Sequence, residues 1–135
     1  MVKQKIIQTV GKRKKAIARA VAKSGSGIIR INSKPLDSFS TKYIRMWIKE
    51  PLMLAGKLSS KIDIDVTVKG GGVWGQAGAV RTAIGQALVG FDEKLKEVFT
   101  GYDRTLLISD SRRTEPHKPS RSSAGPRRTK QQSKR

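Results

Sequence analysis

The sequence has no cysteine, one histidine, few aromatics, no long apolar run and, at both ends, almost no acid. Without cysteine there is no disulfide framework and no thiolate metal site. No apolar stretch approaches the ~18 residues of a membrane-spanning helix. Near the start no apolar run is longer than the two residues of Ile6-Ile7, too few for the core of a signal peptide. A soluble, intracellular protein is expected. His117 has no cysteine or carboxylate cluster around it in sequence, and no serine has a base with an orienting partner, so neither a metal site nor an active site is expected.

The missing acids are unevenly placed. Residues 1–35 hold ten Lys/Arg and no Asp or Glu, residues 36–110 hold ten against nine, and residues 111–135 hold nine against Glu115 alone. The formal charge of +19 therefore sits at the two ends of an otherwise balanced chain. A solvated face normally interleaves both signs, so acid-free runs point to a polyanionic partner, nucleic acid or an anionic membrane surface. Residues 111–135 contain three of the five prolines and no Val, Ile, Leu, Met, Phe, Trp or Tyr. Such a segment cannot bury enough apolar surface to offset an ordering cost of roughly 1–2 kcal/mol per residue. It also cannot form the amphipathic helix that a membrane surface requires. We read 1–110 as a globular domain and 111–135 as a basic tail, about 80 Å long if extended at ~3.3 Å per residue.

The seven aromatics, Phe39, Tyr43, Trp47, Trp74, Phe91, Phe99 and Tyr102, all fall in the middle segment, mostly at helical core spacing. Basic ends without aromatics favour phosphate contacts over stacking on bases.

Alternation and helical period give the elements. A strand is expected over 3–10, then a basic turn after Gly11, then a strand over 16–23. Its alternate residues are Ala16, Ala18, Ala20 and Ala22 on one face and Ile17, Arg19, Val21 and Lys23 on the other. Which face meets the core stays open. The loop Ser24-Gly25-Ser26-Gly27 leads to a third strand over 28–32, and the three together suggest an antiparallel meander. Ile44, Trp47 and Ile48 mark a helix with Ser40 or Thr41 as N-cap, which Pro51 ends or restarts, closed by Gly56. Residues 61–69 alternate as a half-buried strand, with Asp63 and Asp65 on the solvent side. Val80, Ala83, Ile84, Ala87, Leu88 and Phe91 define a long helix with Arg81, Thr82 and Gln86 facing away, stopped by Gly90. Asp92 caps a last helix with Leu95, Val98 and Phe99 inward. The order strand, strand, strand, helix, strand, helix, helix is an α+β, two-layer domain.

Gly70-x-Gly72-x-x-Gly75, after a strand and opening a helix, has the spacing of a dinucleotide fingerprint, with Asp92 at a ribose-ligand distance. The context is wrong: a fingerprint strand is buried on both faces, and Asp92 begins a helix. A phosphate loop needs Lys-Ser/Thr where Gln76-Ala77 stands. No cofactor is called for, although glycines at a helix start let backbone approach an RNA phosphate.

Taken together, Gly11-Lys12-Arg13-Lys14-Lys15-Ala16-Ile17-Ala18-Arg19, Gly70-Gly71-Gly72-Val73-Trp74-Gly75-Gln76-Ala77-Gly78-Ala79-Val80-Arg81 and the end Ser133-Lys134-Arg135 resemble the ribosomal protein S-nine family of the small subunit. The stretch Asp110-Ser111-Arg112-Arg113-Thr114-Glu115-Pro116 resembles its archaeal and eukaryotic branch. The chain departs from that pattern in lacking an aromatic among its last residues and in having Ser111 where proline is usual. The resemblance implies a fold of the ribosomal S-five domain-two type and a structural place in the subunit head, bound to rRNA. It implies neighbours among the ribosomal proteins numbered seven, ten and fourteen. It also implies a tail that threads through rRNA to the peptidyl-site tRNA, which Ser133, Lys134 and Arg135 would touch. For rRNA we expect contacts from Lys12, Arg13, Lys14, Lys15, Arg19, Gly75, Gln76, Arg81, Arg112, Arg113, Arg121, Arg127, Arg128 and Lys130. A free-standing RNA chaperone or nucleic-acid packaging protein is the other reading of two basic ends.

Overall fold

The computed structural model describes residues 4–39 and 41–114. Five strands form one sheet: β1 (Ile6–Arg13), β2 (Ala16–Ser24), β3 (Ile29–Ile31), β4 (Lys34–Pro35) and β5 (Ile62–Lys69). Three helices accompany them: α1 (Lys42–Ala55), α2 (Val73–Phe91) and α3 (Leu95–Tyr102). The domain is α+β, as the element order predicts.

The spatial order is β1-β2-β5-β3-β4. This corrects the expected meander, because β3 does not follow β2 in the sheet. β5 inserts between them, antiparallel to β2 and parallel to β3. Parallel neighbours need a crossover, and α1 supplies it. The loop after β2 is accordingly not a hairpin turn. It passes over the start of β5, where the Asp63 carboxylate accepts the N–H groups of Ser26, Gly27 and Ile28 at 2.9, 3.0 and 2.9 Å. These bonds, led by that from Ile28, hold the Asp63 carboxyl below its ordinary pKa. β3 then turns into β4 through Asn32 and Ser33, both at positive φ (52° and 69°), the backbone of a tight two-residue hairpin. The Asn32 side chain clips this turn to β5, accepting from the Val68 N–H at 2.9 Å.

The alanine face of β2 is the core face. Ala16, Ala18, Ala20 and Ala22 are buried beside Ile62, Ile64, Val66 and Val68 of β5. The small side chains let α2 lie close on the sheet. At Gly11 in β1 an added Cβ would stand 2.1 Å from the Ala79 carbonyl oxygen, and at Gly85 one would stand 2.6 Å from the Leu106 carbonyl oxygen. α2 is therefore covered on two sides, by β1 and β2 and by α1 with the turn Arg104–Leu106. A helix with no solvent face must be apolar or satisfied all round.

Three smaller expectations change. β1 runs to Arg13, so Lys12 and Arg13 are strand residues and only Lys14 and Lys15 form the turn. Pro51 neither ends nor restarts the first helix; it is buried within α1, whose C-terminus is Gly56 at φ 62°. Thr41 is the N-cap of α1, without a side-chain bond, and Ser40 lies outside the described residues. In α3, Leu95 and Phe99 are buried but Val98 is exposed.

Candidate nucleic-acid interface

The other face of the sheet has no helix over it. Its residues run in rows across β1, β2 and β5: Lys12, Ile17, Lys69; then Val10, Arg19, Thr67; then Gln8, Val21, Asp65; then Ile6, Lys23, Asp63. Cations fill the end nearest the β1–β2 turn and the two acids lie at the far end. Lys12, Arg19 and Lys69 are exposed and have no ion pair among the described residues.

Beyond that end stands the two-residue turn. Lys14 has φ 53°, a left-handed conformation that glycine or asparagine adopts more readily. A lysine kept there at a cost of about 1–2 kcal/mol puts an exposed ammonium at the hairpin tip. Lys15 is exposed beside it. The glycine run folds back on this turn. Gly70 and Gly71 have φ 80° and 69°. A Cβ at Gly70 would lie 2.7 Å from the Lys15 carbonyl oxygen. The glycines are thus accounted for by hairpin packing, and β5 exposes Asp65, Thr67 and Lys69 along one face. Both observations go against the dinucleotide fingerprint. Gly75 is buried against the same turn, and Gln76 is half-buried, its side-chain amide donating to the Gly70 carbonyl at 3.2 Å.

The C-terminal basic segment begins at the same place. Asp110 makes a parallel bridge with Arg13, and its carboxylate holds Arg112 through Nε at 2.9 Å and Nη2 at 2.6 Å. The Arg112 hydrogen bond keeps the Asp110 carboxyl far below the usual range. Arg13, Lys14, Asp110, Arg112, Arg113 and Thr114 line one concavity. Residues about 100 positions apart in sequence thus share a pole of the domain. Arg113 is exposed there without an acidic partner among the described residues, whereas Arg112 is already paired. Arg13 is half-buried, with its guanidinium 5.1 Å from the centroid of Trp47.

Arg81 is a correction. It was expected to face away from the core and reach phosphate, but it is 3% exposed. Its guanidinium pairs with Glu50 and with Asp103 at 3.2 Å and lies 5.3 Å from the Trp47 centroid. Thr82 is buried too, its hydroxyl donating to the carbonyls of Gly78 and Thr105 at 3.1 and 3.0 Å, and Gln86 donates to the Leu107 carbonyl at 2.8 Å. These polar groups tie α2 to the segment that leads into the tail. Arg121, Arg127, Arg128, Lys130, Ser133, Lys134 and Arg135 lie outside the described residues, as does His117.

Sequence reasoning missed two things, one at each end of the sheet. It assigned Asp63 to solvent, although Asp63 organises the crossing loop. It also grouped Trp74 with core aromatics, although Trp74 is 57% exposed. The run Gly70-Gly71-Gly72 before it, which leaves little side chain to cover the indole, was the available signal.

Among the described residues no helix is long and apolar enough to cross a membrane. Residues 11–135 match the family described as ribosomal protein S9/S16. The small ribosomal subunit protein uS9 of Methanococcus maripaludis is 60% identical over 131 residues, covering 96% of this chain and 98% of that protein. The protein of the same description from Methanococcus vannielii is 59% identical over the same share of each. A match of this extent, across both the domain and the basic tail, shows that the chain belongs to the ribosomal protein S9/S16 family.

Proposed function

We propose that the chain is a structural constituent of the small ribosomal subunit that grips rRNA at the pole where its two basic ends meet. Membership of a ribosomal protein family makes it a non-enzymatic, structural protein of translation, and its place is the cytoplasmic ribosome. The observation that carries the RNA reading is the convergence of Lys12, Lys14, Lys15 and Arg19 with the start of the tail at Arg113. Such a cluster neutralises phosphates whatever the base sequence. Gly75 and Gln76 act from behind, by holding the turn against α2. Arg121, Arg127, Arg128 and Lys130 continue the same contact along rRNA. At the tip, Ser133, Lys134 and Arg135 reach the peptidyl-site tRNA, a role that rests on resemblance to the family. Neighbouring proteins of the subunit head, among them those numbered seven, ten and fourteen, complete its surroundings on the same ground.

Sedimentation with purified small subunits in low salt tests this. Stoichiometric co-sedimentation is expected, with an rRNA affinity whose log–log salt slope is about −0.7 to −0.9 per phosphate neutralised. A free-standing chaperone would run apart from subunits, and a salt-independent affinity would overturn the electrostatic account. Removing residues 133–135 is expected to leave assembly intact and to weaken tRNA at the peptidyl site; unchanged tRNA affinity would end that assignment.

A further inference from the structure

We propose that Trp74 is a stacking platform for one unpaired RNA base, adding a base contact to an interface otherwise built for phosphates. The inference rests on the RNA-binding reading above and names what one part of that surface holds.

Three features of Trp74 and its surroundings carry this. Trp74 stands in the first turn of α2 and is 57% exposed, as is half of its neighbour Val73, although the rest of α2 is almost wholly buried. Its indole is held in place. The ring centroid lies 5.8 Å from that of Trp47 at an interplanar angle of 53°, and the guanidinium groups of Arg13 and Arg81 lie over Trp47. A fixed aromatic plane loses little entropy when a base lands on it, because its rotamer is already chosen. The surroundings are cationic and open. Gly71 packs on Ala16 at the β1–β2 turn, so the first turn of α2 lies beside Lys14 and Lys15. Gly72, the N-cap, has nothing within 4 Å of where a Cβ would be, and no side chain caps the helix.

An exposed indole in a purely apolar setting would suit a protein partner. Here the helix turn that carries it begins with uncapped amides and packs beside the hairpin turn that carries Lys14 and Lys15, and both amides and ammonium groups attract a phosphate. The occupant that satisfies all of these is a nucleotide: its base lies on the indole, and its phosphate faces the turn and the helix start. Base–aromatic stacking tolerates any base, and a purine covers more of the indole than a pyrimidine.

The test uses the full chain with a single-stranded oligoadenylate of about 12 nucleotides and a base-free ribose-phosphate oligomer of equal length. Oligoadenylate is expected to quench tryptophan emission, and the base-free oligomer to bind without quenching. Trp74→Ala is expected to weaken oligoadenylate binding about 5- to 100-fold, toward the base-free level, with the salt slope unchanged. Trp74→Phe should retain most of the affinity. Trp74→Lys, which removes the ring and adds a cation, should bind more weakly than the parent. Tighter binding by Trp74→Lys, or equal binding by Trp74→Ala with the parent intact, would overturn the platform and leave the phosphate reading standing. Should the parent bind neither oligomer, the RNA reading itself fails.

Discussion

The two faces of the sheet are made by the same strands and follow opposite rules. On the covered face the important groups are those that are missing: Gly11 and four alanines of β2 leave room for α2. On the open face the side chains are long and cationic at one end, Lys12, Arg19 and Lys69, and no helix stands over them. The covered face sets geometry to a few tenths of an ångström, whereas the open face needs only charge. One face should therefore be intolerant of an added methyl group and the other tolerant of a lost side chain.

The largest effect should come from Gly11→Ala. Its Cβ would meet the Ala79 carbonyl oxygen at 2.1 Å and the Ala83 nitrogen at 2.7 Å, and both belong to a helix pinned on its far side. Overpacking of this kind is expected to destabilise by about 3 kcal/mol, read from the denaturant midpoint. Gly72→Ala, with open space around it, is the control and should cost well under ~1 kcal/mol.

Next in size is Arg81→Met. It leaves Glu50 and Asp103 unpaired, but both carboxylates are about one-third exposed, so the loss is closer to ~2 kcal/mol than to the 3–5 typical of a wholly buried pair. The same experiment on the open face, Arg19→Ala, should change stability by less than ~0.5 kcal/mol and flatten the RNA salt slope by about 0.7–0.9. Equal stability losses for the two arginines would erase the distinction between the faces.

Acid should act on loops of both faces. Burial raises the Asp103 pKa, but bonds from the Thr105 hydroxyl and N–H and the Arg81 charge outweigh it, so the net shift is downward. Asp63 is shifted the same way. For a lowered carboxyl pKa the stabilisation is present above the unfolded value, ~4, and is lost as pH falls through the folded value. The unfolding midpoint should therefore drop below pH ~4, and Asp63→Asn should lose part of that dependence. A flat profile from pH 5 to 2 would contradict these bonds.

A small gain in stability sharpens the contrast most. Lys14→Asn relieves the left-handed strain and should stabilise by about 0.5–1 kcal/mol while weakening RNA binding by one phosphate contact.

Much of the fold was legible because period 2 and period 3.6 survive in the sequence. Ala16 to Ala22 and Ile62 to Val68 alternate cleanly, and the helices sit where their apolar residues recur. Strand order was not legible, since alternation says which side chains face inward but not which strand lies alongside. β5 separates β2 from β3 by pairing with both, a long-range feature that no local pattern carries. Arg81 was misread because a charged residue off the apolar arc usually meets water. The glycines and alanines on the remaining faces of α2 were the sign that it had no wet side. At the interface, the cations of residues 12–19 were identifiable from charge alone. The rooting of the tail beside them, and the exposure of Trp74, depended on contacts between distant parts of the chain.

The bridge between Arg13 and Asp110 also sets an order of events. As the chain emerges during synthesis, β1 and β2 can pair at once, but the inner edge of β2 has no partner until β5 is made some forty residues later. Arg13 and Asp110 close a loop that spans nearly the whole domain, the kind of contact whose entropic cost is met last. Until then nothing holds Arg13 beside Asp110 and the residues that follow it. Their union depends on the folded domain, so, on the function proposed above, a strong grip on RNA would report that the domain beneath it is finished.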